Sequence, residues 1–289
     1  MEKVWLVGAF GMLGKAIGEV LKKNDILFKA TGSDVDITDI NILNQFVGDE
    51  NFSHIINTAA YTNVEKAEID RERAFDVNVN GIKNLVNIAN RMDSKIIHFS
   101  TDYVFDGELL LPYLEDNLTN PINYYGMTKL EGEKILLSSA RNKILIRTSW
   151  LFGFSDNNFV FKIFEKILKE NEINVVDDQR GRLTYCEDLA KGAFELSAKE
   201  GIFHLANDDE ASWYEIACFI FSWMKKHVKN IKCKKVNKVS SNDFKTLAKR
   251  PKYSVLDLTK SKEITSHLPS WRKSLIKHLE ILYARTKTC

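Results

Sequence analysis

Short apolar runs that leave no polar face alternate along the first half of the chain with longer stretches in which apolar residues recur every three or four positions. The runs fall at residues 3–8, 27–31, 54–60, 95–101 and 143–150. Between the first two, Met12, Leu13, Ala16, Ile17, Val20 and Leu21 mark one face of a helix. Strands apolar on both faces and joined by helical crossovers imply a parallel sheet covered on each side, a doubly wound α/β (Rossmann) fold. In that architecture ligands belong at the carboxyl ends of the strands.

After residue 150 the regularity loosens. The pattern predicts a helix near 156–170, a strand at 173–176, a helix around 186–198 and a strand at 201–206. Ser212 and Glu215 have the spacing of a capping box, which places a helix start there. Residues 225–238 carry seven lysines with Ile231, Cys233 and Val236 between them. That stretch reads as a solvated edge strand guarded by lysine, an anion site being the alternative. The expected organisation is a Rossmann domain at 1–150, extended by later segments near 173–206 and 240–257. A smaller mixed α/β substrate-binding lobe is interleaved with it at 151–289.

Composition narrows the field by exclusion. The 289 residues hold 41 Lys plus Arg against 39 Asp plus Glu, and 44% are hydrophobic. That is enough to build a core, and a charge balance of +2 lacks the basic footprint of nucleic-acid binding. The longest apolar run, 216–224, falls well short of the roughly 20 residues that span a bilayer. Cys186, Cys218, Cys233 and Cys289 form no C-x-x-C pair and read as reduced thiols, so no metal site is expected. Without a basic-then-apolar leader, the expected location is cytoplasmic.

Three elements carry chemistry. Gly8, Gly11 and Gly14 follow the first strand and open its helix, where glycines allow a sharp turn and backbone N–H groups approach a pyrophosphate. The spacing is G-x-x-G-x-x-G, so the strand-then-helix context carries the dinucleotide reading. Tyr125 and Lys129 stand four apart, on one face of a helix, where an ammonium can lower a phenol's pKa. Tyr124 has Thr128 at that spacing instead. Ser100, Thr101, Asp102 and Tyr103 end the fourth run and place hydroxyls at the carboxyl edge of the sheet.

In these stretches the chain resembles the extended short-chain dehydrogenase/reductases, and within them the family of the dTDP-4-dehydrorhamnose reductases. The matching segments are 8–14, I-N-T-A-A-Y-T-N-V-E-K-A-E at 56–68, N-V-N-G at 78–81 and S-T-D-Y-V-F-D-G at 100–107. They continue with N-P-I-N-Y-Y-G-M-T-K-L-E-G-E-K at 120–134, R-T-S-W-L-F-G at 147–153 and R-P-K-Y-S-V-L-D at 250–257. The resemblance implies Tyr125 as proton donor, Lys129 as its partner and Thr101 as the hydroxyl that binds the sugar's carbonyl oxygen. It implies a cofactor, NADPH or NADH, held by Gly8, Gly11, Met12, Leu13, Gly14, Ser33, Asp36, Ile37, Ala59, Ala60, Tyr61, Thr62, Asn78 and Phe99. Asp102, Tyr103, Trp150, Asn158 and Arg250 fall on the side of a nucleotide-sugar substrate.

The expected activity is reduction of the C4 ketone of a nucleotide-linked 4-keto-6-deoxy sugar. The alternatives are a reductase or epimerase of a different nucleotide sugar, or a dinucleotide-binding regulatory subunit like that of methionine adenosyltransferase. A homodimer is an open alternative to a monomer, and no nucleic-acid or membrane partner is expected. Two departures bear on specificity. Residues 181–184 read G-R-L-T where many relatives have G-S-P-T, in a loop expected to border the cleft. The second strand ends A-T-G-S-D at 30–34, without an acidic residue at its tip for a ribose hydroxyl or an arginine for a 2′-phosphate.

Overall fold

The computed structural model describes residues 1–287, so Cys289 lies outside the described residues. The strands of the first half are β1 (Lys3–Val7), β2 (Leu27–Thr31), β3 (His54–Asn57), β4 (Lys95–Thr101) and β5 (Asn142–Thr148). The helices between them are α1 (Met12–Lys23), α2 (Ile40–Val47), α3 (Val64–Ala67), α4 (Arg71–Phe75), α5 (Gly81–Arg91) and α6 (Tyr124–Ser139). A wide helical turn, Asp76–Asn80, joins α4 to α5.

Alternate residues of β1 enter different cores. Val4 and Leu6 pack with Ile56, Ile97 and Ile144 on one face of the sheet, while Trp5 and Val7 pack with Ile55, Ile96 and Leu145 on the other. That two-sided burial is the reason the runs are apolar throughout. The edge strand β2 departs from it: Leu27 is exposed and only Thr31 is buried. The runs at 54–60 and 143–150 extend past their strands, and the surplus residues form the loops at the strand ends.

The second half supplies β6 (Leu151–Phe152), α7 (Phe159–Lys169), β7 (Glu172–Val176), β8 (Arg180–Gly181), β9 (Thr184–Tyr185), α8 (Cys186–Leu196) and β10 (Gly201–His204). It continues with β11 (Ala211–Ser212), α9 (Trp213–His227), β12 (Lys235–Val239), α10 (Thr259–Lys262) and α11 (Trp271–Lys287). β10 adds to the main sheet, which is parallel and has the order β10-β5-β4-β3-β1-β2. Strand β7, in contrast, pairs with β12 in a ribbon of its own. The lysine-rich stretch accordingly divides: Lys225, Lys226 and His227 close α9, where cations complement the helix terminus, and β12 forms one strand of the ribbon. The capping box is formed, with Ser212 Oγ accepting from the Glu215 N–H at 3.1 Å and Glu215 Oε2 from the Ser212 N–H at 2.8 Å.

Cys186, Cys218 and Cys233 are free thiols. Among the described residues no helix is long and apolar enough to cross a membrane.

Candidate active site

A cleft of about 710 Å³ opens along the carboxyl ends of β1, β2, β3 and β4. At one end the chain leaves β1 through the glycine turn, where the Gly11 N–H donates to the Gly8 carbonyl at 3.1 Å. No side chain caps α1, so its first-turn N–H groups face the cleft lined by Gly11, Met12 and Leu13. A Cβ on Gly14 would come within 2.3 Å of the Gly8 carbonyl oxygen, so helix and turn pack backbone to backbone there.

At the other end β4 stops at Thr101, and α6 starts beside it. Asn123 caps α6 by accepting from the Gly126 N–H at 2.8 Å. A Cβ on Gly126 would lie 2.1 Å from the Tyr103 carbonyl oxygen, so only glycine lets this turn of α6 close onto the strand end. The closure brings Tyr125 into hydrogen-bond reach of Thr101, and the Tyr103 ring meets the Tyr125 ring edge-on with centroids 6.1 Å apart. Thr101 Oγ1 donates to Asp102 Oδ1 at 3.0 Å, and Ser254 Oγ donates to Asp102 Oδ2 at 2.5 Å. Burial pushes the Asp102 carboxyl up to about 7, against the pull of those two hydroxyls.

The pairing of Tyr125 with Lys129 differs from the expectation drawn from spacing. Lys129 Nζ donates to the Phe99 carbonyl at 2.7 Å and lies 3.2 Å from His98 Nε2. Burial raises the Tyr125 hydroxyl above its ordinary value, with the Thr101 hydrogen bond opposing. Burial also pushes the Lys129 amine down to about 8, with the Glu133 carboxylate opposing. Four-residue spacing sets proximity along the helix, but loss of water around both groups dominates their acidity. The result is a phenol held protonated, as a proton donor requires.

The cleft is lined by most of the residues singled out in the sequence: Gly8, Gly11, Met12, Leu13, Gly14, Ser33, Asp36, Ile37, Ala59, Ala60, Thr62, Phe99, Thr101, Tyr125, Lys129, Trp150 and Asn158. Five others stand behind it. Asn78 accepts from the Tyr61 N–H at 2.9 Å and donates to Thr128 Oγ1 at 3.0 Å, bracing the 59–62 loop against α6. The Tyr61 hydroxyl donates to Asp70 at 3.1 Å. Asp102 is held by Thr101 and Ser254, and the Arg250 guanidinium lies near enough to Tyr103 to oppose the upward push of burial on its hydroxyl. Arg250 itself donates to Glu65 Oε1 at 2.6 Å, a partner that occupies the guanidinium expected to meet a diphosphate. Asn158 lines the cleft while capping α7, accepting from the Phe161 N–H at 3.0 Å.

The loop departure also resolves differently from expectation. Arg182 Nε donates to the Leu256 carbonyl at 2.7 Å and Nη1 reaches Asp208 at 3.3 Å, so its side chain ties the lobe together and does not line the cleft. Asp34 folds back to accept from the Gly32 N–H at 2.9 Å and is likewise absent from the lining.

Three features were not read from the sequence. Arg73, on α4, lines the cleft and pairs with Asp36 at 3.0 Å. Trp150 adopts φ of 46° and stacks on Trp213, with centroids 3.6 Å apart. Ser100 and Thr148 line the cleft, and their hydroxyl oxygens are buried without a hydrogen-bond partner. Together with the uncapped start of α1, such orphan groups fit a polar ligand such as a dinucleotide.

A parallel doubly wound sheet whose first turn is glycine-built, and whose fourth strand ends under a Tyr-x-x-x-Lys helix, defines an extended short-chain dehydrogenase/reductase. Residues 2–284 match the family described as RmlD substrate binding domain. The chain is 36% identical to the dTDP-4-dehydrorhamnose reductase of Aggregatibacter actinomycetemcomitans, covering 95% of this chain and 97% of the relative. A solved dTDP-4-dehydrorhamnose reductase of Clostridium acetobutylicum superposes with a TM-score of 0.91 at 35% identity, covering 97% of this chain and 99% of that one. The enzyme of the same name from Bacillus anthracis, solved in complex with NADP, gives a TM-score of 0.90 at 34% identity, covering 96% and 98%. The chain belongs to the RmlD family, the family of the dTDP-4-dehydrorhamnose reductases.

Proposed function

We infer that this chain is an NAD(P)H-dependent reductase of the C4 ketone of a nucleotide-linked 4-keto-6-deoxy sugar, converting dTDP-4-dehydrorhamnose to dTDP-rhamnose. The observation that carries the reading is Tyr125, its hydroxyl held above its ordinary value beside Thr101 and one helical turn from Lys129, in the same cleft as the glycine turn. The names and coverage of the relatives support the choice of sugar.

In this reading residues 1–150 carry the dinucleotide and the interleaved lobe at 151–289 closes over the sugar nucleotide. Gly11, Met12 and Leu13 hold the pyrophosphate, with Ser33, Asp36, Ile37 and Arg73 toward the adenosine. Ala59, Ala60, Thr62 and Phe99 line the path to the nicotinamide. When bound, NADPH or NADH supplies the hydride of the reduction. Tyr125 gives its hydroxyl proton to the C4 oxygen as negative charge develops there, the Lys129 ammonium steadies that charge, and the Thr101 hydroxyl joins it by turning its hydrogen from Asp102 to that oxygen. Asp102 and Ser254 orient Thr101, Asn78 braces the loop beneath the cofactor, and Trp150 walls the substrate side. Arg250 acts through Tyr103, whose ring packs on Tyr125.

The purified protein incubated with NADPH and a panel of nucleotide 4-keto sugars tests this by loss of reduced-cofactor absorbance. Turnover with dTDP-4-dehydrorhamnose well above the other sugars is expected. Preference for another sugar would overturn the substrate, and binding without turnover would favour a regulatory subunit.

A further inference from the structure

The floor of the cleft rests on a hydrogen-bonded chain of which the reaction as described uses only one member, Lys129. Asn57, His98 and Lys129 come from β3, β4 and α6, and all three are buried at 2% exposure or less. Asn57 stands directly across from His98 in the sheet. The Ala59 N–H donates to Asn57 Oδ1 at 3.0 Å, which fixes the amide oxygen toward the loop and turns the NH₂ group to His98 Nδ1, 3.1 Å away.

An amide NH₂ can only donate, so Nδ1 must accept and the imidazole proton sits on Nε2. Burial keeps His98 neutral by holding its protonation well below the ordinary range. The Nε2–H then faces Lys129 Nζ at 3.2 Å. An amine offers that hydrogen a lone pair, whereas an ammonium offers only hydrogens. The opposite arrangement, an ammonium donating to Nε2, needs the Asn57 amide turned over and leaves the Ala59 N–H without its acceptor.

We propose that His98, its tautomer fixed by Asn57, is a positioning residue that biases Lys129 toward the neutral amine and so sets the pH at which that group changes charge. Lys129 is already brought near neutrality by burial, so a hydrogen bond that favours one form shifts the balance within the working range. Of the ionisable groups near it, Glu133 lies one turn further along α6 and opposes the effect of burial, Tyr125 lies one turn back on the same helix, and Arg147 on β5 reaches it through Glu133. Arg147 pairs with Glu133 at 2.8 Å and tempers its pull on the ammonium. A lysine that changes charge near neutral pH can hold the developing negative charge as ammonium and restore the Tyr125 proton afterwards. That consequence rests on the reductase reading, whereas the protonation states can be measured without substrate.

Nitrogen-15 NMR of the histidine side chains, in the protein without ligand, reports the tautomer directly and needs no variant. The expected state of His98 is protonated at Nε2 alone; a proton at Nδ1 would overturn the proposal. Lys129 is then titrated by the carbon-13 shift of its Cε in the wild type and in His98→Gln, whose amide oxygen can stand where Nε2 was and accept from an ammonium. The variant midpoint should rise by about one pH unit or more. An unchanged or lower midpoint would contradict the proposal. If the Lys129 titration shifts as expected while the panel of keto sugars shows no turnover, the reductase reading fails and the role of His98 stands.

Discussion

Arg73 reaches back across the mouth of the cleft to Asp36, placing Nη2 3.0 Å from Oδ2 although the two are 37 residues apart. The pair and Ser33 all line the cleft, in the part assigned to adenosine. An arginine fork is well suited to a 2′-phosphate, and a carboxylate is suited to a free ribose hydroxyl. Because each neutralises the other, discrimination between NADPH and NADH should be within about tenfold. Arg73→Ala should weaken NADPH more than NADH, and Asp36→Asn should do the reverse. Calorimetric titration of both variants with both cofactors checks this, and equal losses for the two cofactors would remove the pair from the choice.

The glycine turn separates affinity from folding. A Cβ on Gly11 meets only the Gly8 carbonyl oxygen, at 3.3 Å, whereas one on Gly14 lies 2.3 Å from that oxygen and 2.7 Å from the Ala9 Cα. Gly11→Val should therefore fold and lose at least tenfold in dinucleotide affinity, because its side chain shields the first-turn N–H groups. Gly14→Ala should instead lower thermal stability, overpacking typically costing about 1–3 kcal/mol. Circular dichroism melts beside NADPH titrations distinguish the two outcomes.

Asp102 gives a pH signature in stability. An unfolded carboxyl titrates near about 3.9, whereas this one titrates near 7 in the fold. A raised carboxyl pKa means that the folded state holds the proton more tightly. Asp102's own contribution to stability should accordingly fall as pH rises from about 4 to 7 and level off above, opposite in sign to that of the buried histidines, which the comparison with a variant at the one site cancels. Asp102→Asn removes the buried charge and should gain roughly 4 °C or more in Tm at pH 8 relative to its effect at pH 4. A melting difference that is constant across this range would contradict the assignment.

Tyr125→Phe should reduce turnover by about 100-fold or more with little change in cofactor affinity. Tyr124→Phe is the control, since that residue begins α6 one position earlier and is absent from the cleft lining. Equal, small losses in the two variants would show that the proton comes from elsewhere.

What was legible in the sequence follows from periodicity. Two-sided burial makes β1, β3, β4 and β5 continuous apolar runs, and the turn of a helix places Tyr125 and Lys129 together. Arg73 carries no such mark, because it enters the cleft from a separate short helix through tertiary packing alone. Arg250 and Asn78 were legible as polar residues in matching segments, but their use by Glu65, Tyr61 and Thr128 depends on partners distant in the chain. The acidity of Tyr125 is beyond the sequence for a related reason: spacing reveals the neighbouring charge and says nothing of how far burial opposes it.

The most direct test of the account follows the transferred atom. The protein is incubated with dTDP-4-dehydrorhamnose and NADPH carrying deuterium at both C4 positions of the nicotinamide, and the sugar product is analysed by NMR and mass spectrometry. The account predicts dTDP-rhamnose with one deuterium bound at sugar C4, formed at a rate that collapses in Tyr125→Phe. Unchanged substrate, or a product without deuterium at that carbon, would contradict it.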